Sequence, residues 1–495
     1  MSRIIIQNGN MCELDLPLKF AQKLYAEFAI RHPNAFYLRT RQRGMQNWDG
    51  KIHYITKTGQ FKIGLLPKVY DMCIEMGIKP KVVDMRQPLP KVSKVVTNIG
   101  KYKLRPEQEK AVKSVINNRV GDIPFQIGVL DLTVNFGKTL IMTSLYLSYK
   151  KQLKTLLITN DSDWLNQARE EFKQYLPGED ITFVQGKVLN WSNFTIGMVQ
   201  SISRNMRFYQ KELSQIDMVL IDEADQGGSK QYQNVITRLF NTRIRIGLSG
   251  TIYMSKLAKD RVKNMNLECF FGKVIAEFKL KDSIKKGYST KTVVKMVPGK
   301  PWYGNWESDC ISYKEIYDDS ITNCYTAWLM AYNRLLWNLN QGRYPALVVC
   351  KHIAHCENLY KFFKKKLGDA YNIAYVHVNT PSKLRQQIMK DFREGKIDIL
   401  VSTTIIARGK NFPKLRYLLN AASMDSQEKS IQFLGRLVRT DESKNKVYLD
   451  DLHYPGNYLD RHGKHRKQYY QRQELKVILL DKLWKKHPNH SLIKS

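Results

Sequence analysis

Two series of short apolar runs, each run set off from the next by a helix-compatible segment, constrain this chain more than any other feature. The first series is 125–132, 155–159, 195–199, 218–221 and 244–248; the second is 346–350, 373–377, 397–402, 417–420 and 446–449. Runs that stay apolar without alternating predict strands buried on both faces, and interleaved helices predict parallel sheets covered on both sides. The fold class expected is therefore α/β, with two parallel-sheet lobes. The two series differ in sequence, so the repetition is one of fold.

At 495 residues the chain has room for about three domains. Residues 1–95 read as a small basic α/β domain, with a helix over 18–30 and short strands at 36–38 and 52–55. Pro88, Pro90 and Gly100 mark a linker. The first lobe is expected over 96–285, a connecting helical segment over 286–345, the second lobe over 346–455 and a basic helical tail over 456–495. That tail, counted from Arg461, holds ten Lys or Arg and two acidic residues. It is expected to grip the nucleic-acid backbone or to pack as a helix on the second lobe through Leu475, Val477, Leu479, Leu480 and Leu483, and the two are compatible.

The charge narrows the partner. With 80 Lys and Arg against 45 Asp and Glu, the net charge is +35, more than solubility asks for and suited to a phosphate backbone that releases counterions on binding. No apolar run reaches the roughly 18 residues of a membrane span, and the start turns polar too early for a secretory signal. The seven cysteines are scattered without a Cys-x-x-Cys pair, which fits a reducing compartment. A cytoplasmic protein without a membrane partner is the expectation. Cys350, His352, His355 and Cys356 are zinc-compatible types, but without a loop between the pairs tetrahedral closure is awkward.

The strongest local motif is Asp131-Leu132-Thr133-Val134-Asn135-Phe136-Gly137-Lys138-Thr139. An apolar strand enters it and an apolar helix-compatible segment leaves it. Such a turn aims backbone N–H groups and a helix dipole at an anion. Lys138 would reach the β- and γ-phosphates and the Thr139 hydroxyl would ligate Mg²⁺. Thr133, Asn135 and Gly137 would line the loop, Asn135 tolerating the positive φ that such a loop asks for. Leu132 stands where a first glycine belongs, and Phe136 is bulky for a phosphate loop. A second motif, Asp222-Glu223-Ala224-Asp225, comes directly after the run 218–221 and so sits where parallel sheets bind ligands. Asp222 would hold Mg²⁺ and Glu223 would orient the attacking water. The alternative for the tetrapeptide alone is an acidic loop capping the next helix.

In this order the motifs resemble those of superfamily 2 helicases and translocases. Leu104-Arg105-Pro106-Glu107-Gln108 resembles the adenine-reading segment, which implies ATP as the nucleotide, with Arg105 and Gln108 at the base. Ser249-Gly250-Thr251 resembles the motif coupling hydrolysis to lobe movement. In the second lobe, the run from Val401 through Thr403 and Arg408 to Gly409 resembles motif V, and Gln432-Phe433-Leu434-Gly435-Arg436-Leu437-Val438-Arg439 motif VI. The resemblance implies two RecA-like lobes, with Gly409 and Gln432 at ATP, Arg436 and Arg439 as fingers on the γ-phosphate, and Thr403 on nucleic acid. Asn47-Trp48-Asp49-Gly50-Lys51-Ile52 and Cys350-Lys351-His352-Ile353-Ala354-His355 are similar to segments of the UvsW-type recombination helicases of phages. That likeness implies fork or junction remodelling, branch migration and strand annealing, and a host-cell cytoplasm. Despite its literal Asp-Glu-Ala-Asp, the chain departs from DEAD-box RNA helicases at Gly250 and Gln432.

Arg39, Arg41, Arg43 and Lys51, interleaved with Phe36, Tyr37, Trp48 and Tyr54, are the expected DNA contacts, the cations on phosphates and a ring on an exposed base. The competing reading places Trp48 and the tyrosines in the core. Two other functions stand as alternatives, an RNA helicase and a catalytically degenerate nucleic-acid-binding protein.

Overall fold

The computed structural model describes residues 2–41, 45, 47–186, 190–250, 252, 260–299, 312–407 and 412–480. The chain divides into two compact units, Met1–Phe278 and Lys279–Ser495. Each is built on a seven-stranded parallel sheet. In the first unit the strands, in chain order, are Ile127–Leu132, Thr155–Thr159, Ile181–Val184, Phe194–Met198, Met218–Asp222, Ile244–Ser249 and Val274–Phe278. In the second they are Lys291–Pro298, Ala346–Cys350, Ile373–Val376, Ile399–Thr403, Tyr417–Asn420, Lys446–His453 and Val477–Leu479. Counting strands within each unit, both sheets run third, fourth, second, fifth, sixth, first, seventh. The central strands Ile127–Leu132, Met218–Asp222 and Ala346–Cys350 are buried at every position, as their unbroken apolar runs require.

The two lobes and their α/β class agree with the expectation, and three edge strands and one interior strand, Lys291–Pro298, were not expected from the sequence. Ile181–Val184, Lys291–Pro298, Val274–Phe278 and Val477–Leu479 carry too few or too mixed apolar residues to stand out, and gain their stability from a neighbour already in place. Val477–Leu479 pairs in parallel with Val294–Met296, so this part of the tail is a strand where a helix face through Leu475 to Leu480 was one expectation; Leu483 lies outside the described residues. The short strand expected at 36–38 is also overturned, since Ala35–Arg41 is helical. Ala35 turns inward, Leu38 is half-buried and Phe36 and Tyr37 face solvent, a spacing of three that an extended run could not satisfy.

The first unit also contains a four-stranded sheet ordered Gln60–Lys62, Met11–Asp15, Arg3–Ile6, Lys81–Asp84. Its buried face shares one apolar core with the main sheet, joining Ile4, Ile6 and Leu65 to Val219, Leu267 and Phe271. The approach is close. A Cβ on Gly64 would fall 2.1 Å from the Glu268 carbonyl oxygen, so only glycine lets that turn lie on the helix Arg261–Phe271. Arg245, fully buried, donates to the Phe270 and Gly9 carbonyls and to Asn10 Oδ1.

The second unit buries charge differently. Asp450 and Asp451 are consecutive on one strand and therefore face opposite sides of the sheet. Asp450 accepts from Arg334 Nη2 at 2.6 Å, from Asn338 and from Tyr417. Asp451 accepts from Arg466 Nη2 at 2.8 Å, from Asn420 and from Tyr470. Each carboxylate thus pins one helix, Tyr325–Leu339 or Asn457–Arg472, to its own face.

Candidate nucleotide and nucleic-acid sites

The strand Ile127–Leu132 runs out into the loop 133–137 and re-enters as the helix Lys138–Ser148. Two residues of the loop are left-handed, Asn135 at φ 65° and Gly137 at φ 83°. Glycine is required at 137 on a second ground, because a Cβ there would meet Gln108 Nε2 at 2.5 Å. Phe136 does not fill the loop. Its ring is buried against Phe278, centroid to centroid 4.6 Å, so its bulk belongs to the core. Leu132 is likewise a core side chain. The carbonyl of Phe136 accepts from Gln108 Nε2 and from Arg105 Nη2, each at 2.6 Å. Gln108 Oε1 meanwhile accepts from the Arg105 N–H. The segment expected to read adenine therefore braces the loop 133–137, leaving Gln108 one amide hydrogen and one lone pair.

The loop carries polar atoms that the described residues do not satisfy. Thr133 Oγ1, both amide atoms of Asn135 and Asp222 Oδ1 are buried without a hydrogen-bond partner among the described residues, a cost that a ligand, an ion or water would relieve. Because the strands are parallel, Asp131, Asp222 and Ser249 all reach the same edge of the sheet. The register aligns Asp131 with Ser249 and Asp222 with Leu248. Burial pushes the Asp222 carboxyl above its ordinary value, and the charge of Lys138 pulls against that rise. Asp225 and Asp161 add to the upward push. Ser249 Oγ donates to Asp225 Oδ1 at 2.8 Å, tying the acidic tetrad to the next strand end. Glu223 is held at φ 53°, a conformation costing a carboxylate residue of the order of 1 kcal/mol and typical of functional turns. Thr139 sits in the first turn of the helix; Thr251 lies outside the described residues. Asp161 was not singled out from sequence, although Asn160-Asp161-Ser162 directly after a buried run was the available signal.

In the second unit Thr403 ends a buried strand. Gly409 lies outside the described residues. The helix Gln427–Leu437 begins at Ser426, whose hydroxyl accepts from the Lys429 N–H, and Lys429 Nζ donates to Thr404 Oγ1 at 3.2 Å. Gln432, Arg436 and Arg439 are half-buried while Phe433, Leu434, Leu437 and Val438 are buried. Arg439 stands beyond the helix end, where Thr290 fixes the turn by donating to the Val438 and Arg439 carbonyls. Lys444, pushed down to about 8 by burial, donates to the Leu437 carbonyl from below. Among the zinc-compatible residues, His355 Nδ1 lies 3.1 Å from the Tyr317 hydroxyl and Cys356 Sγ faces the Val376 carbonyl.

In the N-terminal part, Arg39 and Arg41 lie on the helix Ala35–Arg41 and Lys51 on the strand Lys51–His53; Arg43 lies outside the described residues. Trp48 donates its indole N–H to the Lys51 carbonyl and sets its ring edge to His32, and Tyr54 hydrogen-bonds to Asn266. The rings left open to solvent are Phe36 and Tyr37.

Residues 101–254 match the family described as type III restriction enzyme, res subunit, and residues 329–441 match the helicase conserved C-terminal domain. Together with the motif order and the two RecA-like lobes, these matches place the chain in the superfamily 2 helicases. Within that class it is similar to putative helicase 22 of a Sulfolobus islandicus filamentous virus, at 22% identity over 71% of this chain and 64% of that protein. The crystal structure of T4 UvsW aligns with 97% of this chain and 98% of its own at 20% identity and a TM-score of 0.45. A fragment of a putative HsdR subunit of a type I restriction enzyme from Vibrio vulnificus shares the fold, with a TM-score of 0.55 at 16% identity over 76% of this chain and 68% of its own. The chain spans less than two thirds of the length of the curated relatives it matches, 64% of the viral helicase and 51% of the putative ATP-dependent helicase IRC3 of Saccharomyces cerevisiae.

Proposed function

We propose that the chain is an ATP-dependent DNA helicase or translocase that remodels branched DNA: forks, junctions and annealing strands. The observation that carries this reading is the sheet edge of the first unit, where Lys138 acts electrostatically on a buried carboxylate beside a loop of unsatisfied polar atoms. The loop N–H groups and the dipole of the helix Lys138–Ser148 would receive the triphosphate, with Thr133, Asn135 and Gly137 lining it and Lys138 neutralising it. Thr139 and Asp222 are the residues that would hold Mg²⁺, which when bound adds charge neutralisation at the phosphates. Glu223 orients the attacking water. The residue roles proposed on the motif resemblance are Arg436 and Arg439 for the γ-phosphate, Gln432 and Gly409 for the nucleotide, and Arg105 and Gln108 for the base. The Ser249–Asp225 hydrogen bond gives the hydrolytic edge a mechanical link to the segment beyond it, where Thr251 belongs. Arg39, Arg41, Arg43, Lys51 and Thr403 take the DNA backbone, and such contacts select structure over sequence.

The degenerate alternative loses its main support, since Leu132 and Phe136 pack into the core and leave the loop open. No described helix is long and apolar enough to cross a membrane, and cytoplasmic action on DNA is the corresponding proposal. The test is ATP hydrolysis across single-stranded, duplex and forked DNA and the matching RNAs. Forked DNA should stimulate most and Lys138→Ala should abolish the response; stimulation by RNA above all DNA forms would transfer the substrate to RNA.

A further inference from the structure

In the N-terminal part of the first unit a pocket of about 560 Å³ opens between the helix Ala35–Arg41 and the strand Lys51–His53, lined among others by Arg31, Phe36, Arg39, Asp49 and Lys51. Its lining is net positive, three cations against the Asp49 carboxylate. Arg31 and Lys51 stand directly opposite each other across the antiparallel pair, an arrangement of like charges that costs stability in a sheet. Arg39 adds a third cation on the facing helix, and no carboxylate among the described residues pairs with any of the three. Asp49, the one carboxylate in the lining, is already engaged. Its Oδ2 lies 2.7 Å from His53 Nε2 and its Oδ1 accepts from the Lys51 N–H at 2.9 Å, and these bonds hold its carboxyl below the usual range. Beside the cations, Phe36 leaves 81% of its surface in water, although this small region has every reason to bury a ring of that size. An exposed aromatic face next to three cations that outnumber the one carboxylate of the lining is the chemistry of a base with its flanking phosphates. The volume falls within the roughly 300–1,000 Å³ of small-ligand pockets.

We propose that this pocket takes one unpaired nucleotide of a DNA strand, its base against Phe36 and its neighbouring phosphates on Arg31, Arg39 and Lys51. The proposal rests on the DNA reading above and gives it a discriminating element. In continuous duplex every base face is covered by its neighbours, so only a strand that is single or splayed at a branch can offer one. Structure-selective binding then needs no base-edge hydrogen bonds.

The test uses the full chain and fluorescence anisotropy with three probes: a single-stranded DNA, the same strand carrying abasic sites, and its continuous duplex. Phe36→Ala should weaken binding to the intact single strand roughly tenfold or more. It should change the abasic strand and the duplex by less than about twofold and leave the salt dependence alone. Arg39→Ala should weaken all three and lower the slope of log affinity against log salt by about one. An equal loss on duplex and single strand in Phe36→Ala, or no loss on the single strand, overturns the base pocket. Because no ATP is present, this outcome is independent of the motor assignment, which Lys138→Ala tests separately by hydrolysis.

Discussion

The two parallel sheets share a strand order and differ in the residues through which the chain leaves the strands. In the first unit, the loop after the first strand carries a left-handed Asn135 and Gly137 and leads to Lys138; the fifth strand ends in Asp222 and a strained Glu223. In the second unit the fifth strand ends in Asn420 and passes to Ala421 and Ala422, both fully buried. Its acidic pair, Asp450 and Asp451, lies within the sixth strand and is neutralised by buried arginines. Asp222 Oδ1, at a strand end of the first sheet, has no hydrogen-bond partner among the described residues, whereas the carboxylates inside the second sheet are consumed by the fold. Topology thus comes from the ladder of buried runs, and chemistry from the residues just past them. Identical folds can place similar residue types in opposite service.

That contrast predicts opposite phenotypes. The largest effect is expected at the open edge: Glu223→Gln should lower DNA-stimulated ATP hydrolysis by about 10²–10⁴-fold while leaving the unfolding profile unchanged. Steady-state turnover and thermal unfolding of the same preparation check both halves, and a turnover near wild type would remove Glu223 from the reaction. Next in size is Arg466→Met. It leaves Asp451 buried without its cation, which should cost the second unit about 3–5 kcal/mol. Hydrogen exchange should localise the loss to the helix Asn457–Arg472 and its sheet, and adding Asp451→Leu should recover most of it. If the single variant were as stable as the double, the ion pair would not be pinning the helix.

Much of this architecture was legible because buried strands announce themselves by unbroken apolar runs. Nearly every central strand of both sheets lies where its run stood in the sequence. What was not legible depends on neighbours. Val477–Leu479 is a strand only because Val294–Met296 offers an unpaired edge, and Phe36 to Leu38 is helical because Ala35 and Leu38 are the residues that turn toward the interior. At the site, the backbone strain at Asn135 could be anticipated from its side chain. That Phe136 points into the core could not, since the decision is made by Phe278, more than a hundred residues away in sequence. The bracing of the loop by Gln108 and Arg105 was hidden for the same reason, because both act through a backbone carbonyl that carries no sequence signature.

A smaller effect sharpens the comparison from the first unit. Arg245 is as deeply buried as Arg466 but faces only carbonyls and an amide, and burial together with nearby Arg86 pushes it down to about 9. Arg245→Met removes a costly buried charge while orphaning those acceptors, so the net loss should be about 1–3 kcal/mol, less than for Arg466→Met. Denaturant midpoints of the two variants give the order directly. A larger loss at Arg245 would mean that the Gly9–Asn10 attachment, more than the ion pair of the second unit, governs stability.

The smallest effect separates the units by the sign of their pH response. His355 in the second unit is fully buried against Tyr317, and burial pushes it down to about 3. Its unfolded form protonates near pH 6.5 while the folded form does not. The unfolded state therefore binds more protons as pH falls through that window, and the second unit loses stability, by about 1–2 kcal/mol between pH 6.5 and 5. Asp222 in the first unit shifts the other way, its carboxyl raised by burial, so its folded form takes up a proton before the unfolded one and acid relieves the first unit. Hydrogen exchange at pH 6.5 and 5 should accordingly show the second sheet opening more readily on acidification, with His355→Gln flattening that response and Asp222→Asn stabilising the first sheet at neutral pH. Parallel weakening of both sheets, unaltered by either variant, would mean that the buried charges of the two units do not set their pH dependence.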